Sequence, residues 1–292
     1  MSYVPKRTPR YERRLLRDME MHLTWWGSGE SAPVVLLHGW VDTGATFQFV
    51  VDALQGERVI VAPDWRGFGR SQWQQSPYWF PDYLADLDAL LDAVSPSAPV
   101  TLIGHSMGGN VACLYAGVRP ERVSRLINLE GLGSKNMEPE SAPDRYRQWL
   151  NGLAEVPSFA IFESVERFAE VLRRKNRRLT AERAEYIAGC WSRALPDGRY
   201  TVNADPAHKW INPVLYRRAE AEACCRRVTA PVLCVFGEDS LERAAFGGAV
   251  VDEYFRSLFP QVQLQTLKDA GHMMHHEQPE AVAELIDTFI SS

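Results

Sequence analysis

The sequence predicts an α/β protein: a mostly parallel sheet covered by helices on both faces, with a helical cap inserted between two sheet strands. Three observations predict it. Short apolar runs bounded by Gly, Pro or Asp alternate with stretches whose apolar residues recur at helical spacing. Those runs are apolar throughout, as strands buried on both faces require. One long stretch, 134–228, breaks the alternation with helical, charged and aromatic-rich sequence. The division that follows is a core of residues 1–133 and 229–292 and a cap of residues 134–228. With 292 residues, 46% of them apolar, the chain can bury a large core.

The elements follow in order. Met19, Met21, Leu23 and Trp25 alternate with Glu20, His22 and Thr24, the period of a half-exposed strand. Buried strands are predicted at Val34–Leu37, Val59–Ala62, Val100–Ile103, Leu126–Leu129 and Val232–Phe236, and a further strand at Val262–Leu267. Leu84, Leu87, Leu90, Leu91 and Val94 share one helical face, as do Ala281, Leu285, Ile286 and Phe289. In the cap, Ser164-Val165-Glu166-Arg167 and Leu179-Thr180-Ala181-Glu182-Arg183 carry helix-start patterns. Trp149, Trp191 and Trp210 either line a pocket or pack the cap onto the core.

Composition narrows the partners. A net charge of −5 gives no electrostatic reason for nucleic acid or an anionic membrane. The basic run Arg173-Arg174-Lys175-Asn176-Arg177-Arg178 reads as a solvated helix face, because no basic groove continues it. The basic start has no apolar core for a signal peptide, and the longest apolar runs fall far short of the roughly 20 residues of a membrane span. Cys113, Cys190, Cys224, Cys225 and Cys234 form an odd set without metal-ligand spacing, which suits reduced thiols in a cytoplasm. Without a metal cluster or dinucleotide fingerprint, no cofactor is expected. The expected partner is a small molecule; monomer and homodimer both remain open.

Chemistry concentrates at Gly104-His105-Ser106-Met107-Gly108, a G-x-S-x-G pattern extended by Gly109. It lies between the strand ending at Ile103 and a helix through Val111–Tyr115, so a sharp turn would expose the Ser106 hydroxyl above the sheet. Among seven histidines, His272 follows the Val262–Leu267 strand and precedes the last helix, which places it beside that turn as general base. His275 and His276 approach the helix and are expected to face solvent. His105 is expected to pack beneath the turn, and His38 to brace a loop. The backbone N–H groups of Met107 and Trp40, the latter in the loop His38-Gly39-Trp40, are the expected oxyanion donors.

These motifs resemble the α/β-hydrolase-fold superfamily, in its capped serine-hydrolase-like and carboxylesterase branches. Leu37-His38-Gly39-Trp40, Pro63-Asp64-Trp65-Arg66-Gly67-Phe68-Gly69-Arg70-Ser71, Gly104–Gly109 and Gly271-His272 stand in that family's order, and Leu129-Glu130-Gly131-Leu132-Gly133 opens the cap. The family usually carries its triad acid as G-x-x-D after the strand here read as Val232–Phe236. In Gly237-Glu238-Asp239-Ser240 serine takes that place and aspartate comes one residue early. Glu130, after Leu126–Leu129, matches the alternative placement of some relatives. Glu130 is preferred, with Asp239 the alternative; Asp64 is weaker because its stretch shapes a loop. The resemblance implies hydrolysis of small to medium carboxylic esters through an acyl-enzyme on Ser106. The alternatives are a carbon–carbon bond hydrolase, with Arg193 or Arg199 holding a substrate carboxylate, or a non-catalytic binding protein on the same fold.

Overall fold

A computed structural model describes residues 3–74, 76–155, 157–248 and 250–292. Six strands precede the inserted segment: β1 (Arg10–Leu16), β2 (Met19–Trp26), β3 (Val34–Leu37), β4 (Ile60–Pro63), β5 (Val100–His105) and β6 (Val123–Leu129). Within that segment lie β7 (Ile161–Phe162), β8 (Ser192–Ala194) and β9 (Tyr200–Val202); β10 (Val232–Gly237) and β11 (Val262–Leu267) follow it. The main sheet has eight strands in the order β1-β2-β4-β3-β5-β6-β10-β11. The β1–β2 and β2–β4 pairs are antiparallel and the rest parallel.

The apolar runs have a simple cause. Val35, Leu37, Val61, Leu102, Leu126, Cys234 and Phe236 join the core on one face of the sheet. Their chain neighbours Val34, Leu36, Ile60, Ala62, Ile103, Ile127 and Val235 join the core on the other. Side chains alternate across a strand, so a sheet covered twice needs apolar residues at every position. Helices α2 (Pro81–Val94) and α3 (Met107–Val118) supply Leu87, Leu90, Val111 and Ala112 to the first core. Helix α1 (Gln48–Ala53) and the last helix, α11 (Pro279–Ser291), supply Val50, Val51, Val282 and Ile286 to the second.

Two expectations about the sheet need correction. β1 was not predicted: its sequence RYERRLL is charged and exposed on this edge, so it carries little apolar signal. β2 is buried at every position except Glu20, not half-exposed, and its polar His22 finds partners inside. The His22 N–H donates to Ser71 Oγ and the His22 ring meets Asp64 Oδ2 at 3.1 Å.

Between β6 and β10 lie α4 (Ala142–Gly152), α5 (Val165–Lys175), α6 (Ala181–Trp191) and α7 (Arg218–Cys225). Ser164 and Thr180 cap α5 and α6, accepting from the N–H groups of Arg167 and Arg183, as their patterns predict. Strands β7–β9 correct the purely helical reading of this segment; at two or three residues each they are too short to show a period. After β10 come α8 (Leu241–Phe246), α9 (Val250–Leu258) and α10 (Met274–Glu277). All five cysteines are free thiols, and no described helix is long and apolar enough to cross a membrane.

Candidate active site

The strand order reverses between β3 and β5, where Leu37 pairs with Gly104, and a crevice opens beyond the carboxyl ends of parallel strands at such a point. Ser106 stands there with φ 51° and ψ −115°, a conformation costly for a residue with a side chain. Close packing holds it. A Cβ on Gly104 would lie 2.3 Å from the Gly108 carbonyl oxygen, and one on Gly108 would lie 2.1 Å from that of Leu37. The Ser106 N–H donates to the Leu129 carbonyl at 2.8 Å, tying the turn to the next strand.

The loop after β3 folds onto the same point. A Cβ on Gly39 would sit 3.2 Å from the Ser106 Cβ and 2.9 Å from His105 Nδ1, so only glycine lets the backbone come this near. His38 braces the loop as expected, donating from Nδ1 to the Gly39 carbonyl and accepting the Trp65 N–H at Nε2; burial pushes its pKa down. Trp40 therefore follows a glycine packed on Ser106, with its indole exposed. Met107 opens α3, where the first N–H groups have no partner within the helix and are free to meet an anion.

His272 Nε2 lies 3.0 Å from Ser106 Oγ and its Nδ1 lies 3.3 Å from Glu130 Oε2. Glu130 is buried and follows β6 with φ 59°. Its Oε1 accepts the Gly237 N–H at 2.6 Å, and its Oε2 accepts the Ser240 hydroxyl at 2.7 Å. The neighbouring Asn128 holds the turn by bonding both the N–H and the carbonyl of Gly131. Asp239 is turned away: it pairs with Arg178 at 2.5 Å and is half-exposed. The structure thus brings Ser106, His272 and Glu130 together and leaves Asp239 out. Asp64 accepts the Gly44 and Arg70 N–H groups, shaping its loop. Arg199 is engaged with Asp197, and Arg193 lies over Trp73.

His275 and His276 are fully buried, contrary to the expectation that they face solvent. α10 turns them inward behind His272, toward Asp42. His275 Nε2 donates to Asp42 Oδ2 at 3.2 Å, while Asp42 Oδ1 accepts from Thr46, the Thr43 N–H and the Trp191 indole. Burial opposes charge on Asp42, but the bond from His275 and the adjacent imidazoles hold its carboxyl far below the usual range. Burial pushes His105 and His276 well below the ordinary imidazole value. His105, packed under the turn as expected, donates from Nε2 to the His272 carbonyl at 2.8 Å. Among the described residues, Asp42, His275 and His276 are the group whose donor atoms, within 4.8 Å of one another, could hold a metal ion.

The sequence reading missed Asn128 and Asp42, and it placed Ser240 at the family's acid position without giving it a role. Asn128 had left a signal, a lone polar residue inside an apolar strand; Asp42 sits in a loop and had none. Trp191 does both things proposed for the cap tryptophans: it bonds Asp42 and lines a cavity of about 550 Å³ that His272 also lines. Trp210 instead packs within the insert, donating to the Gly152 carbonyl. A second cavity of about 410 Å³ lies apart, between α2, α3 and α7, and is lined by neither Ser106 nor His272.

A family model described as alpha/beta hydrolase fold matches residues 32–279. A serine hydrolase-like protein of Danio rerio is 26% identical, over 95% of this chain and 89% of its own length. A cis-3-alkyl-4-alkyloxetan-2-one decarboxylase of Shewanella oneidensis is 24% identical over 96% and 89%. Among solved structures, a hypothetical protein of Pseudomonas aeruginosa PAO1 superposes with TM-score 0.84 at 27% identity, over 97% of this chain and 99% of that one. The thioesterase domain from a curacin biosynthetic pathway superposes with TM-score 0.83 at 24% identity, over 96% and 99%.

Proposed function

The chain belongs to the alpha/beta hydrolase fold family, and from that premise we propose that it is a serine hydrolase of small to medium carboxylic esters. One observation carries the reading: a single imidazole, His272, reaches Ser106 Oγ with one nitrogen and the buried Glu130 with the other. Glu130 accepts a hydrogen bond from Nδ1–H, which fixes the tautomer and leaves the Nε2 lone pair for the serine hydroxyl.

In the proposed reaction Ser106 Oγ attacks the ester carbonyl as His272 takes its proton. The resulting oxyanion is held by the backbone N–H groups of Met107 and Trp40. Collapse expels the alcohol, protonated by His272, and leaves an acyl-enzyme on Ser106. Water, activated by the same imidazole, then releases the acid. The strained Ser106 backbone and the tightly seated Gly39 loop support this assignment, since both hold groups in place before substrate arrives.

The test is hydrolysis of p-nitrophenyl esters from acetate through decanoate by wild type and Ser106→Ala. Removing the nucleophile is expected to lower kcat by about 10⁴-fold or more in a protein that stays folded. A folded wild type inert on every chain length would overturn the ester reading.

A further inference from the structure

The basic run that reads in sequence as a solvated helix face is exposed in the fold, and part of it also borders a cavity. Arg174, Lys175 and Arg177 line the cavity of about 550 Å³ that His272 also lines. Its apolar wall comes from Leu172, Leu179, Ile187, Trp191 and Met273. That combination, apolar side chains and exposed cations around one cavity, suits an amphipathic molecule with an anionic end.

The charges divide into those engaged and those free. Arg178 is engaged: it pairs with Asp239, donates to the Asp269 carbonyl and lies 3.8 Å from Glu277. Glu277 in turn accepts the Gly271 N–H and the Asn176 amide. The side chains of Arg174, Lys175 and Arg177 make no ion pair or hydrogen bond among the described residues. Arg174 and Lys175 occupy the last turn of α5, where cations complement the helix dipole, but Arg177 lies beyond the Asn176 cap, where that effect fades. Glu242, the lining acid with no cation beside it among the described residues, stands 3.9 Å from His272 Nδ1, at the reacting end.

We propose that the leaving half of the substrate carries an anionic group, a carboxylate or a phosphate, received by Arg174, Lys175 and Arg177. The assignment to the leaving half rests on the ester-hydrolase reading. His272 gives its proton to the departing oxygen, so the departing group lies on the His272 side. Gly39 and Trp40, from the loop proposed to face the carbonyl oxygen, do not line this cavity, and neither do Ser106 and Met107; of the proposed reacting groups His272 alone borders it.

Two matched pairs test it: 4-nitrophenyl against 3-carboxy-4-nitrophenyl butyrate, and S-butyryl-N-acetylcysteamine against butyryl coenzyme A. The combined Arg174→Gln, Lys175→Gln and Arg177→Gln variant is expected to lose about tenfold in kcat/KM on the anionic member of one pair, and about twofold or less on its neutral member. Which pair responds separates carboxylate from phosphate. An equal response within both pairs overturns the proposal. A second arm needs no turnover: calorimetric binding of 5-hydroxy-2-nitrobenzoate and of coenzyme A to folded Ser106→Ala, with and without the three substitutions. Binding that the substitutions abolish supports the anion site even if every ester proves inert, a result that would sink the ester reading alone. Absence of binding by either anion overturns the site itself.

Discussion

At the residue scale, the placement of the acid is the feature with most at stake. Ser240 occupies the position where the resemblance puts a carboxylate, and its hydroxyl donates to the very oxygen of Glu130 that faces His272. Position 240 therefore supports the acid instead of supplying it. Glu130→Gln is expected to lower kcat by about 10²–10⁴-fold with the fold intact, whereas Asp239→Asn, at a half-exposed pair with Arg178, should stay within about threefold. Adding Ser240→Asp to Glu130→Gln should restore part of the loss, since the new carboxylate would lie near the same imidazole nitrogen. Steady-state kinetics with circular dichroism on each variant decides it; a large loss in Asp239→Asn alone would reverse the assignment.

Elements show where strength and legibility part. The strand–turn–helix around Ser106 was readable because its glycines answer steric needs that the backbone imposes: the Gly108 position has no room for a Cβ beneath the Leu37 carbonyl. Gly108→Ala is expected to destabilise the protein by about 1–3 kcal/mol, read as a lower urea midpoint. An unchanged midpoint would show that the turn relaxes freely. The central strands were readable because burial on both faces demands continuous apolar sequence. β1 was not, since an edge strand gains its stability from backbone pairing with β2, which leaves side chains free to be charged. The same holds for β7–β9, whose pairing depends on residues up to about forty positions apart in the chain.

For the whole molecule, the buried imidazoles govern the response to acid. Burial lowers the folded-state pKa of His38, His105 and His276, and brings His208 to about 4. Their unfolded pKa is near 6.5, so below that pH the unfolded chain binds protons that the folded protein refuses. Stability is then complete above pH 6.5 and falls as pH drops toward the depressed folded values, by up to about 1.4 kcal/mol per pH unit for each such group. Asp42, held ionised by its histidine neighbours, adds a further loss only at lower pH. Urea midpoints should stay level from pH 7.5 to about 6.5 and fall steadily from there to pH 5; a flat response until near pH 4 would contradict this.

The sequence by itself determined the α/β class, the Ser106 turn and the candidacy of His272, because each reflects a local steric rule or a strand period. It also narrowed the acid to Glu130 or Asp239, on resemblance. Only the tertiary structure decided which carboxylate meets His272, that His275 and His276 point inward to Asp42, and that four cations of the run 173–178 line the cavity beside His272. Those outcomes depend on where segments about a hundred or more residues apart converge. A hydrogen bond is read from distance in space, and spacing along the chain carries no record of it.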